Sequence, residues 1–139
     1  MAEDADVPPR ILGRLRPLCL ALPEVREEPA WTGVRWRVRT HTFAHVLTIV
    51  DGRPPTHARA AGVTGARPTT VMTFRAAQPE LDVLRNAGPP YFYGGWGRDV
   101  VGMVLSARTD WDEVRELVTE SYCVLAPKKL VALVDRPDT

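Results

Sequence analysis

The sequence predicts an α+β two-layer sandwich, an antiparallel sheet carrying N- and C-terminal helices on one face. Three observations predict the layers. Residues 34–39 alternate apolar and basic, the signature of a half-buried strand. Apolar residues recur at helical spacing near both ends, over 7–22 and 110–125. Between them the strand-like segments show no regular βαβ alternation, which argues against a parallel sheet.

Each element has its own signal. In 7–22, Leu12, Leu15, Leu18, Cys19 and Leu22 make one stripe, with Arg10, Arg14 and Arg16 interleaved. Asp6 is placed to cap it, and Pro8 and Pro9 suit a first turn. Pro17 crowds the carbonyl of Gly13, so a kink or a late start is expected. Residues 24–33 read as an acidic loop. In the strand 34–39, Val34, Trp36 and Val38 share one face, and Arg35, Arg37 and Arg39 the other. FAHVLTIV (43–50) is apolar on both faces, as a central strand would be. Residues 51–68 form a long Pro/Gly/Arg loop, expected to be a functional arm or to hide a short strand. A third strand follows at 69–75. A short helix opens at Pro79 and stops at Gly88, an aromatic turn spans 89–97, and a buried strand covers 100–105. Asp110 and Glu113 resemble a capping box for the last helix, which Pro127 closes. One domain accounts for 1–139, with 1–7 and 134–139 expected as frayed tails.

Composition narrows the function. The 139 residues hold 18 Lys+Arg against 17 Asp+Glu, a net charge of +1, and at 45% hydrophobic and 25% charged the chain reads as an ordinary globular protein. No apolar run suits a membrane span, the acidic start is no secretory signal, and Cys19 and Cys123 fit a reducing cytoplasm. The charge is segregated, however: −3 over 1–9, +7 over 10–75 and −3 over 76–139. Sixteen of the cations are arginines, leaving Lys128 and Lys129 as the only lysines.

A family resemblance rests on the stretches LCLALPEVREEPAW (18–31), VRWRVRTHTFAHV (34–46), PPYFYGGWGRDVVGMVL (89–105) and ESYCVLAPKKL (120–130). Together and in this order they resemble the MmcQ/YjbR family. The resemblance implies a CyaY-like fold, and members are commonly labelled DNA-binding proteins with a double-wing arrangement. The 51–68 loop is longer and richer in Arg and Pro than the family pattern.

The expected binding surface follows. Alternation sets Arg35, Arg37, Arg39 and His41 about 7 Å apart on one face, near phosphate spacing along a nucleic-acid strand. Arg53, Arg59 and Arg67 would serve as a wing, Arg75 would join from the third strand, and Lys128 and Lys129 from the tail. The competing reading is a solvated face neutralised by the acidic 24–28 loop. Two further alternatives are a small-molecule pocket built from Trp31, Tyr91, Tyr93 and Trp96, and a protein-interaction or homodimer surface pairing the arginines with the 110–120 helix of a second copy. Trp36 and Trp111 are expected in the core, and Trp96 as a plug at a sheet edge. No enzyme is expected. The two serines, Ser106 and Ser121, lack a nucleophile elbow, and Gly94-Gly95-Trp96-Gly97 lacks the Lys-Ser/Thr of a phosphate loop. His41 and His45 lack further ligands for a metal, Cys123 is expected buried and inert, Tyr122 packed, and Ser121 bonded to a carbonyl. No cofactor is implied.

Overall fold

The computed structural model describes residues 7–65 and 67–135. The elements run α1 (Pro9–Leu20), β1 (Arg26–Pro29), β2 (Val34–Val38), β3 (His41–Ile49), α2 (Pro55–Ala61), β4 (Thr69–Arg75), α3 (Glu80–Arg85), β5 (Tyr91–Phe92), β6 (Val100–Leu105), α4 (Trp111–Leu125) and α5 (Lys128–Val131). All strand pairs are antiparallel, in the order β1-β2-β3-β4-β6-β5. Helices α1 and α4 pack together, and α4 crosses β3 and β4. The architecture is the expected α+β sandwich.

Strand alternation sorts the core. Val34, Trp36, Val46, Met72, Phe74, Val101, Met103 and Leu105 meet Leu12, Leu15, Val114, Val118 and Tyr122 in the main core. Asp110 caps α4, accepting from the amides of Asp112 and Glu113. Helix α1 starts at Pro9 and passes through Pro17 to Leu20, so the late start is not adopted. Gly13 is exposed, which leaves the carbonyl that Pro17 cannot satisfy on the solvent side. The expected Asp6 cap and tail positions 1–6 and 136–139 lie outside the described residues. Val7, expected to fray, is 1% exposed in the core, and Val134 packs against it.

Two segments read as loops contain regular structure. Residues 26–29 pair with β2, setting Arg26 opposite Arg37 and Glu28 opposite Arg35. Two acids and a proline in four residues carry no strand signal, so pairing to β2 overrides local preference. In the 51–68 stretch the hidden element is the helix α2, not a strand. Its Ala58 closes a second, smaller core with Leu47, Ile49, Val71 and Phe92 on the sheet face opposite α1 and α4. That core explains why β3 is apolar on both faces. Gly102 makes room for it: a Cβ there would stand 2.2 Å from the Phe92 ring.

A register shift in β3 shapes both layers. Trp36 pairs with Ala44 but Arg37 pairs with Thr42, so Phe43 is an extra residue, a β-bulge. Phe43 and Ala44 both enter the main core, while Thr42 and His45 line a cleft on the other face. After Ala44↔Phe74, the next β3–β4 pair would be Phe43 with Arg75, and the ladder stops short of it. Ser121 of α4 fills the gap. Its Oγ accepts from the Arg75 amide at 2.9 Å and donates to the Phe43 carbonyl at 2.6 Å. The serine thus bonds a carbonyl as expected, though on a strand rather than within its own helix. Ser121→Ala leaves a buried donor and acceptor unpaired, and should cost about 1–3 kcal/mol. Urea unfolding should show a lower midpoint at unchanged slope; an unchanged midpoint would remove the hydroxyl from this role.

Candidate nucleic-acid interface

Neighbouring glutamates on β1 point to opposite layers, because successive strand residues alternate. Glu27 faces the helices, where its carboxylate accepts from Trp36 Nε1 at 2.9 Å and from Arg16 of α1. The Arg16 bond, then the Trp36 bond, holds the Glu27 carboxyl below the usual carboxylate range against the opposing effect of burial. Glu28 faces the other side and meets three guanidinium groups: Arg35 at 2.9 Å, and Arg26 and Arg37 at 3.5 Å each. The Arg35 hydrogen bond, with the charges of Arg37 and Arg26 behind it, lowers the Glu28 pKa.

The arginine row is shorter than alternation implies. Strand β2 ends at Val38, and Arg39 occupies the hairpin turn at φ 55°, paired with Glu24. A left-handed turn residue leaves the strand alternation, so Arg39 is not third in the row. Arg37 donates to the Thr40 carbonyl at 2.6 Å, and its Nε is enclosed without a partner. Arg75 pairs with Asp99 at 3.0 Å. The competing reading therefore holds in part: acids of 24–28 meet the arginines, but one carboxylate serves three of them. Arg26 belongs to this cluster, and only the β1–β2 pairing brings it there.

Other expected residues scatter. Arg53, Arg59 and Arg67 are exposed around α2 and make no ion pair among the described residues. His41 is exposed beside the hairpin turn. Lys128 and Lys129 are exposed on α5, whose Leu130 joins the main core, so they belong to the helix layer. Among the described residues no group of three or more His, Cys, Asp or Glu could hold a metal ion. Among those residues, too, no helix is long and apolar enough to cross a membrane.

Aromatic residues divide likewise. Trp31, 70% exposed, contacts His45 edge-on at 6.3 Å and lies 6.1 Å from His57. His57 stacks on Trp96 at 4.5 Å, and Trp96 meets Phe92 edge-on. Trp96 thus lies against Gly94 and against Phe92 of the edge strand β5, and there it also clasps His57 of α2. Tyr91 instead donates to Glu113 of α4, and Tyr93 donates to the Arg98 carbonyl beneath the Arg85 guanidinium. The two tyrosines do not join Trp31 and Trp96 in one pocket. Trp36 is fully buried as expected, whereas Trp111 is half-buried under Arg14. Tyr122 packs and donates to the Pro23 carbonyl at 2.7 Å; Cys19 is buried, but Cys123 only half so.

A family model described as YjbR matches residues 20–124. The chain belongs to the YjbR family. The matched YjbR span runs from the end of α1 to the end of α4, and so contains the whole sheet, the α2 arm and the arginine cluster. A structural-genomics crystal structure of a protein from Pseudomonas syringae is similar to it, at TM-score 0.51 and 12% identity over 74% of this chain and 78% of that one. This likeness concerns the fold. No curated protein matches the chain.

The histidine clasp has a pH signature. Burial lowers the His57 pKa, with His45 adding to it; burial also lowers that of His45, outweighing its bond to the Thr32 carbonyl. The unfolded chain takes up protons as pH falls through the ordinary value of 6.5, while the folded chain resists until lower pH. The contribution of these two histidines to stability is therefore flat above pH 6.5 and falls below it. His57→Phe keeps an aromatic clasp without the proton, and should flatten that limb when urea midpoints are measured on both sides of the ordinary histidine pKa. An equally steep limb in the variant would rule His57 out as a source.

Proposed function

We propose that this YjbR-family protein binds DNA, chiefly through phosphates, with the sheet face opposite α1 and α4. The observation that carries the reading is the imbalance around Glu28, where Arg26, Arg35 and Arg37 surround a single carboxylate. One negative charge against three positive ones leaves an excess of two on a surface without α1 or α4. Exposed Arg53, Arg59 and Arg67 extend positive charge along the α2 arm. Such a surface attracts a polyanion and gains from counterion release.

The roles follow from the side chains. Arg26 is the most exposed of the three and suits first contact, while Arg35 and Arg37, braced by Glu28, suit positioning of the backbone. The arm arginines would act as a wing reaching along the duplex. Arg39 and Arg75 contribute less in this reading, since each has its own carboxylate. Phosphate contacts orient the protein and carry no sequence information. The protein is proposed as a binding protein and not an enzyme. Support for that comes from Ser121, whose hydroxyl is occupied by two strands.

Two variants of opposite sign test the reading. Arg35→Ala with Arg37→Ala should weaken duplex binding across sequences and make the salt slope shallower by about one for each phosphate no longer neutralised. Glu28→Gln removes the competing carboxylate and should tighten binding. Anisotropy titrations at two salt concentrations read both. Unchanged affinity and slope in the double variant would overturn the proposal.

A further inference from the structure

The cationic cluster borders a cleft of about 210 Å³ on the same face, lined among others by Trp31, Arg35, Thr42, His45, Thr73 and Arg75. Its floor is one row across three strands, since Arg35 pairs with His45 and His45 with Thr73. The bulge at Phe43 keeps Thr42 beside His45 on this floor instead of turning it to the core. We infer that the cleft seats one unpaired base of a single nucleic-acid strand, stacked on Trp31, so that single-stranded nucleic acid is the preferred ligand. The inference rests on the phosphate reading above and adds to it the strand form.

Three features argue for a base. First, Trp31 is 70% exposed yet anchored by His45 and His57, so its indole is held while much of its surface stays open. An exposed, positioned indole gives a base a stacking platform, and stacking does not depend on which base arrives. Second, the floor offers neutral polar groups. Thr42 and Thr73 bring hydroxyls to it, and His45 Nε2 donates to the Thr32 carbonyl at 2.7 Å, which leaves Nδ1 of the neutral ring as an acceptor. Hydroxyls and a neutral imidazole offer donors and acceptors, which suit a base edge. Third, Arg35 at the cleft shares the single carboxylate of Glu28 with Arg26 and Arg37, so an excess of positive charge stands beside the cleft for a phosphate flanking a seated base. A duplex buries its base faces in its own stack and has none free to lie on Trp31, although its grooves still show base edges.

The test compares a short oligothymidylate with a hairpin duplex of equal phosphate count, by anisotropy at one salt concentration. The oligothymidylate should bind more tightly. Trp31→Ala should weaken its binding roughly 5- to 150-fold and leave the duplex unaffected, and Trp31→Phe should restore most of the loss. Thr73→Phe, which fills the floor without changing charge, should act like Trp31→Ala. Equal affinity for both forms, insensitive to Trp31→Ala but still weakened by the Arg35/Arg37 double variant, overturns the base seat and leaves the phosphate reading standing. Thymidine monophosphate binding as tightly as the oligothymidylate also overturns it, in favour of a small-molecule site. Binding of neither nucleic acid overturns both readings.

Discussion

A hydroxyl group between two strands organises this molecule. Where β3 and β4 would exchange their next backbone bond, Ser121 of α4 bonds the Arg75 amide and the Phe43 carbonyl instead. The ladder can end there without orphaning buried backbone groups, which would otherwise be costly. Because it can end there, Phe43 can bulge toward the helices and meet Tyr122 edge-on at 5.5 Å. The bulge in turn decides what the opposite face presents. Thr42 and His45 sit side by side on the cleft only because one extra residue has been absorbed between Thr42 and Ala44. One side chain of the last long helix thereby positions groups on the far side of the sheet.

Charge is partitioned by the same strand geometry. Glu27 and Glu28 are adjacent in sequence, yet they work in different layers. Glu27 ties β1 to α1 and to the Trp36 indole, and so belongs to the internal scaffold. Glu28 gathers three arginines about one carboxylate in the other layer. Arginines suit this arrangement because a planar guanidinium can bond one carboxylate and still present other donors. Positive surface and local stability are therefore compatible, with the acid serving as a brace that falls short of neutralising the group.

Much of this is legible from the residues, and the failures share a cause. Strict alternation at Val34–Val38 announces both the strand and its basic face, and the Asp110 cap announces α4. Alternation cannot announce its own end: Arg39 continues the pattern in sequence while the chain has already turned. Arg26–Pro29 is a strand only because β2 lies beside it, so no local signal for it exists. The α2 helix is hidden by prolines that stand at its start, where they are tolerated, rather than inside it. The double-sided apolar run of β3 is buried as its composition implies, but its partner on the second face can be named only once α2 has been placed. The aromatic residues are the least legible. Tyr91 and Trp96 lie close in sequence but work in opposite layers, one bonded to α4 and the other stacked over α2.

The α2 arm ties distant parts of the chain to a common fate. Its Ala58 roofs Leu47 and Ile49 of β3, Val71 of β4 and Phe92 of β5, and Gly102 of β6 is bare so that Phe92 can lie flat. Related chains that shorten the arm must at the same time exchange these floor residues for polar ones, or expose a greasy patch on the sheet. They must also release position 102 from its need for glycine. Arm length, floor polarity and the glycine should accordingly vary together among relatives.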